Sequence, residues 1–142
     1  ANPTRIEERL SMQEPKLKDL KGYVLTNMKR ESFGFAYIII SKAIMERFNV
    51  NYEEAASMVS ELAGMKGYPI WAILNEYPNE YRVRLRSFGS GPTVHDIAEK
   101  FGGGGHDNAA GCNVSNVEAS LDELKFACQQ AIENWRASRK KA

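Results

Sequence analysis

The stretch Phe101-Gly102-Gly103-Gly104-Gly105-His106-Asp107-Asn108-Ala109-Ala110-Gly111 decides how the rest of the chain is read. Four consecutive glycines are expensive to order, at about 0.5–1 kcal/mol each relative to alanine, or about 2–4 kcal/mol for the run. In return they allow left-handed backbone and leave no Cβ in the way, so successive N–H groups can line a concave nest that a ligand approaches closely. Phosphate is the usual guest of such a nest. The segment from His106 to Ala110 reads as a helical turn whose free N–H groups point at the same anion. His106 then stands at the lip, as a donor to a phosphate or to the edge of a base. The plain alternative is a flexible loop with a surface histidine. Ala109, Ala110 and Gly111 weigh against it, because residues this small let the backbone pack tightly against a neighbouring element. The spacing fits neither the dinucleotide-binding G-x-G-x-x-G pattern nor the Walker G-x-x-x-x-G-K-[ST] pattern.

Working outward, Thr93 to Phe101 reads as an amphipathic helix with Val94, Ile97, Ala98 and Phe101 inward, delivering the chain to the glycines. His95 within it reads as a surface histidine. Upstream, Pro69 to Tyr77 and Glu80 to Phe88 read as two strands joined at Pro78-Asn79. The second alternates plainly, with Tyr81, Val83 and Leu85 on one face and Arg82, Arg84 and Arg86 on the other. Three arginines on one face repel one another unless solvent, carboxylates or an anionic ligand covers them. Downstream, Gly111 to Val114 reads as a short strand. Ser115 and Glu118 form a capping pattern for a long helix whose stripe runs through Leu121, Leu124, Ala127, Cys128, Ala131, Ile132 and Trp135. Arg136 to Lys141 reads as a frayed basic tail.

The first third of the chain supplies the remaining frame. Thr4 to Leu20 reads as helical, with apolar positions at Ile6, Leu10, Leu17 and Leu20 and an interruption at Pro15. It has too few apolar residues to bury itself and suits a connector. Gly22 to Met28 and Phe33 to Ile40 are β-branched and aromatic runs that read as a hairpin turning through Lys29 to Ser32. Phe35 to Ile40 is apolar nearly throughout, as in an interior strand. Ser41 caps a short helix, and Asn51 with Glu54 forms a capping box for another that buries Ala55, Met58, Val59 and Leu62 and ends at Gly64 and Gly67. The expected fold is α+β, a mixed sheet of about five strands with helices packed on it, in one domain over residues 22–142. Residues 1–21 are the helical linker before it.

The composition, at 142 residues and 43% hydrophobic, suits one globular domain. Nineteen basic against 18 acidic side chains leave a net charge of +1, which argues against a broad polyanion-coating surface and for local contacts. No apolar run approaches the ~20 residues of a membrane helix and there is no signal-peptide pattern, so a cytoplasmic protein without membrane contact is expected. Cys112 and Cys128 read as buried thiols. The two histidines are not at H-x-x-x-H spacing, and there is no Asp-x-Asp pair and no cysteine-nucleophile signature. This chain is therefore expected to hold no catalytic residue, no metal and no cofactor of its own.

Phe101 to His106, followed by Ala109-Ala110-Gly111, resembles the signature loop of the DHH-associated domain, the smaller C-terminal domain of DHH-family phosphoesterases. The similarity is to the branch that degrades very short RNA and dephosphorylates 3'-phosphoadenosine 5'-phosphate, and it covers the chain from about Gly22 onward. Arg86-Ser87 is similar to that family's Arg-Ser motif, whose side chains help to hold the nucleotide. The resemblance implies a substrate-binding role for Arg86, Ser87, Gly103, Gly104, Gly105 and His106. Arginine can fork onto a phosphate and the serine can add a hydroxyl donor; Arg84 shares the face without motif support. The family's Asp-His-His motif does not occur here. The implied arrangement is thus a truncated link followed by the binding half of a phosphoesterase, inactive alone, with Mn2+ or Mg2+ in an N-terminal DHH domain of the same polypeptide. The implied ligand is a nucleotide or short single-stranded oligonucleotide. The alternatives are a non-enzymatic nucleotide-binding or regulatory module, and a structural or oligomerisation domain that would act through a homodimer.

Overall fold

A computed structural model describes residues 14–140. Residues 1–13, with the expected apolar positions Ile6 and Leu10, and Lys141 of the basic tail lie outside the described residues. The described residues open with α1 (Pro15–Asn27), which has Pro15 at its start, where its missing N–H costs nothing. Gly22 to Met28, expected as a strand, belongs almost wholly to this helix. Leu17, Leu20 and Val24 lie at helical spacing, and Leu20 and Val24 are fully buried in a cluster with the chain's own Met45, Leu62 and Ile73. The helical period of these few apolar residues outweighed the β-propensity of Tyr23, Val24 and Leu25.

Six strands follow in the sheet order β1-β2-β3-β4-β6-β5, one more than expected. They are β1 (Lys29–Glu31), β2 (Phe35–Ile40), β3 (Ile70–Glu76), β4 (Tyr81–Ser87), β5 (Gly104–His106) and β6 (Ala109–Val114). The residues expected as a turn before β2 form β1, and the turn itself falls at Ser32 to Gly34. Only β2 and β3 pair in parallel; every other pairing is antiparallel. Between β2 and β3 run α2 (Lys42–Phe48), α3 (Tyr52–Ser57) and a 3-10 turn (Met58–Leu62). The Ser41 hydroxyl accepts from the Ile44 N–H as its cap, and Asn51 with Glu54 makes the full capping box, as the sequence implies. After β4 come α4 (His95–Lys100), the β5–β6 hairpin and the long α5 (Val117–Lys140). The cap of α5 is one residue later than expected: the Asn116 carboxamide oxygen accepts from the Ala119 N–H at 3.2 Å.

The two sheet faces are treated differently. One is covered along its length by α4 and α5, which bury Phe35, Ile70, Leu85 and Cys112 against Ile97, Leu124 and Ile132. The other is covered by α1, α2, α3 and the 3-10 turn only over β2 and β3, where Ala36, Ile38, Ile40, Trp71 and Ile73 point outward from the sheet. Over β4, β6 and β5 no element of the described residues covers this second face, where Arg82, Arg84 and Asn113 are exposed. No helix of the described residues is long and apolar enough to cross a membrane. Leu20→Ala is expected to cost about 2–5 kcal/mol in urea unfolding; a loss below about 1 kcal/mol would show α1 to be a detachable connector.

Candidate functional site

The glycine run is a hairpin, not a nest followed by a helix. Gly102, with φ 81°, ends α4 as its left-handed cap residue. Its N–H donates to the Glu99 carbonyl at 3.0 Å and that of Gly103 to the Ala98 carbonyl at 2.9 Å, the paired bonds of a Schellman motif. The expected free N–H of Gly103 is therefore committed within the protein. Gly104 to His106 then form edge strand β5, and Asp107-Asn108 turn the chain into β6. The helical turn expected at His106 is replaced by this pairing, in which His106 lies opposite Ala109 and Gly104 opposite Gly111.

Close approach explains which glycines are needed. A Cβ on Gly103 would collide with the Gly111 carbonyl oxygen, and one on Gly105, where φ is 144°, would lie 2.6 Å from the Ala109 oxygen. A Cβ on Gly104 would meet nothing within 4 Å. The small residues Ala109, Ala110 and Gly111 thus serve the packing that their size suggested.

Register brings the expected site residues together. Arg86 pairs with Ala109, and Ala109 pairs with His106, so these residues lie in one row on the open face. With neighbouring strands about 4.8 Å apart, the Cα atoms of His106 and Arg86 are ~10 Å apart, separated only by an alanine. A second row places Gly104, Gly111 and Arg84 side by side. His106 is exposed and Arg86 half-buried. Around the hairpin tip lies a cleft of about 450 Å3 lined by His106, Asn108, Ala109 and His95.

The arginines are not equivalent. Arg82 has a carboxylate, Glu80, at 3.6 Å and stacks over Tyr77 at 4.0 Å. Arg84 and Arg86 have no ion-pair partner among the described residues. Arg86 donates to the Leu85 carbonyl at 3.0 Å. Burial, then the charge of Arg84 beside it, lowers its pKa, so an anion on this face would relieve both costs.

Ser87 has a different task from the one expected. It is 7% exposed, and its hydroxyl donates to the Pro92 carbonyl at 2.6 Å while accepting from the Asn108 carboxamide at 3.0 Å. That carboxamide also donates to the Phe88 carbonyl at 2.7 Å, and the Ser87 N–H donates to the Asn108 carbonyl at 3.0 Å. The Asp107 carbonyl accepts from the Val94 N–H at 2.7 Å. Ser87 is thus a brace between β4, the following loop and the hairpin tip, with no proton free for a ligand. Asn108 was missed in the sequence because no spacing rule links it to a serine 21 residues away.

His95 is also more engaged than a surface histidine. Its Nε2 lies 3.0 Å from Glu99 and its Nδ1 3.6 Å from Asp96. These three could gather round an ion, but the carboxylates face opposite ring nitrogens, which suits ion pairing and does not fit a divalent-metal centre. Cys112 and Cys128 are free and buried; burial pushes the Cys112 thiol up to about 11 and that of Cys128 higher still, which removes both as nucleophiles.

The geometry is thus a mixed sheet with one half-face that no described element covers, crossed by arginines and edged by a glycine hairpin. Residues 34–134 match the family model of the DHHA1 domain, and the chain belongs to that family. It is 30% identical over 114 residues to the bifunctional oligoribonuclease and PAP phosphatase NrnA of Bacillus subtilis, covering 78% of this chain and 36% of that protein. It is 35% identical over 114 residues to the probable bifunctional oligoribonuclease and PAP phosphatase NrnA of Streptococcus mutans, with the same coverage of 78% and 36%. The chain therefore spans 36% of the length of each of these relatives. Among solved structures, an exopolyphosphatase-related protein from Bacteroides fragilis superposes with a TM-score of 0.75 at 26% identity, over 99% of this chain and 41% of that one.

The glycines should separate by position. Gly103→Ala and Gly105→Ala are each expected to cost about 1–3 kcal/mol in urea unfolding, and Gly104→Ala to stay within about 0.5 kcal/mol. Equal effects at all three would contradict the hairpin packing.

Proposed function

We propose that this chain is the substrate-binding C-terminal domain of a DHH-family phosphoesterase acting on short RNA or small phosphorylated nucleotides. The observation that carries this reading is the row of His106, Ala109 and Arg86 on the open face, next to an Arg84 that lacks an ion-pair partner among the described residues. The small residues in the row let a ligand lie close to the sheet. Arg86 takes a phosphate through its planar fork and His106 donates a hydrogen bond to a phosphate or base edge. The exposed edge of β5, with Gly104 and Gly105, supplies main-chain groups to the same ligand. Membership in the DHHA1 family and the activities for which the relatives are named support the substrate class.

The hydrolytic chemistry belongs, on this reading, to an N-terminal DHH domain of the same polypeptide that carries Mn2+ or Mg2+. Such ions polarise the phosphoryl group and generate a nucleophile from water; no step is assigned to a metal on this chain. What these residues contribute is orientation, by holding one part of the nucleotide so that the scissile phosphate meets the other domain. A cytoplasmic setting accords with this role. Assembly is a second reading favoured by one observation, a Phe126 that is 63% exposed on α5.

In the polypeptide carrying both domains, His106→Ala and Arg86→Ala are each expected to lower kcat/KM for 3'-phosphoadenosine 5'-phosphate by about 10- to 100-fold, the worth of one charge-assisted hydrogen bond. The melting temperature should hold. Turnover near the wild-type value in both variants would refute the assignment.

A further inference from the structure

Beside the open face lies a second concavity whose chemistry the row of His106 and Arg86 does not use. It has a volume of about 470 Å3 and sits where β3 begins and the C-terminal turns of α5 end. Its aromatic walls include Trp71, Phe88 and Trp135, and its rim carries Lys66, Arg136 and Arg139, with no carboxylate in the lining. None of the three cations takes part in an ion pair among the described residues. Arg136 is held by donating to the Phe33 carbonyl at 3.0 Å, and Arg139 lies over the Trp135 ring at 4.7 Å. Trp135 is fixed by donating to the Ser90 carbonyl at 2.8 Å and meets Phe88 edge to face at 5.5 Å. Trp71 is 6% exposed, and its indole N–H has no acceptor among the described residues.

Aromatic surfaces combined with unneutralised cations suit a ligand that is both flat and anionic, which is the chemistry of a nucleotide. The location supplies the connection, because Trp71 is the direct cross-strand partner of Arg86. From His106 through Ala109 and Arg86 to Trp71 the row crosses three strand spacings, ~14 Å in all. We propose that this pocket holds the second nucleotide of an oligonucleotide whose first nucleotide lies on Arg86 and His106. The inference rests on the function proposed above and extends it: chain length is read here, by stacking on the aromatic wall and by Lys66 and Arg139 at the phosphate.

Both tryptophans of the chain line this pocket, so intrinsic fluorescence reports on it directly. The chain is titrated with a 5'-phosphorylated diadenosine nucleotide and with adenosine 5'-monophosphate, following tryptophan emission and the His106 ring resonances. The dinucleotide should change the emission saturably. The double variant Lys66→Glu/Arg139→Glu should weaken dinucleotide binding about tenfold or more, leaving the mononucleotide's effect on His106 unchanged. A dinucleotide that shifts His106 without altering emission, or that binds the double variant as well as the wild type, overturns the second site and leaves the first standing. An emission change that survives Arg86→Ala while His106 stays silent overturns both the continuity of the two sites and the function on which it rests.

Discussion

The site depends on a small hydrogen-bond knot centred on Ser87. One buried hydroxyl and one carboxamide, that of Asn108, tie the end of β4 to the loop at Pro92 and to the tip of the glycine hairpin. Without it, β5 would be a three-residue edge strand held mainly by its pairing with β6, and short edge strands slip or fray readily. With it, the register is set, and register is what aligns His106 with Arg86. A residue whose motif suggested ligand contact therefore acts one step earlier, by holding the row in place. Because the Ser87 hydroxyl and the Asn108 carboxamide nitrogen are both partnered, the low local dielectric strengthens the knot instead of penalising it.

Packing explains why the row remains available. α4 and the long α5 together bury one face, and α1 with the helices between β2 and β3 buries the other only as far as Trp71 and Ile73. Beyond that boundary the apolar side chains give way to Arg82, Arg84 and Arg86, with Ala109 and Gly111 between them and the edge. The fold thus carries its charge repulsion on the half-face where nothing of the described chain covers it. Arg82 is relieved by Glu80 and Tyr77; Arg84 and Arg86 are not, and an incoming phosphate would be. This is an electrostatic preorganisation that the near-neutral overall composition conceals, since the charge is local and the balance global.

Much of this was legible in the sequence. The alternation of Tyr81 to Arg86, the apolar run of Phe35 to Ile40, the caps at Ser41 and Asn51 and the stripe of the last helix each carry a local rule that the structure obeys. What failed were places where tertiary contact overrides local preference. The residues from Gly22 to Asn27 read as strand but fold as helix, because Leu20 and Val24 find a core on one helical face. Gly104 and Gly105 read as part of a nest and His106 as the start of a helical turn because glycine is depleted in strands, whereas all three pair with β6, and within the strand only Gly105 needs the missing Cβ, for its close contact with Ala109 and Ala110. The tie between Ser87 and Asn108, and the line from Arg86 to Trp71, depend on strand order, which no local pattern encodes.

The central claim is that the open half-face, with His106 and Arg86 aligned through Ala109, is a preformed nucleotide site. The most direct measurement is a resonance-by-resonance titration of the chain with 3'-phosphoadenosine 5'-phosphate. The account predicts saturable shifts at the His106 ring, the Arg86 guanidinium and the amides of Gly104 and Gly105, with the residues of α1 to α3 unmoved. Shifts confined to the helices, or none at saturating ligand, would contradict it.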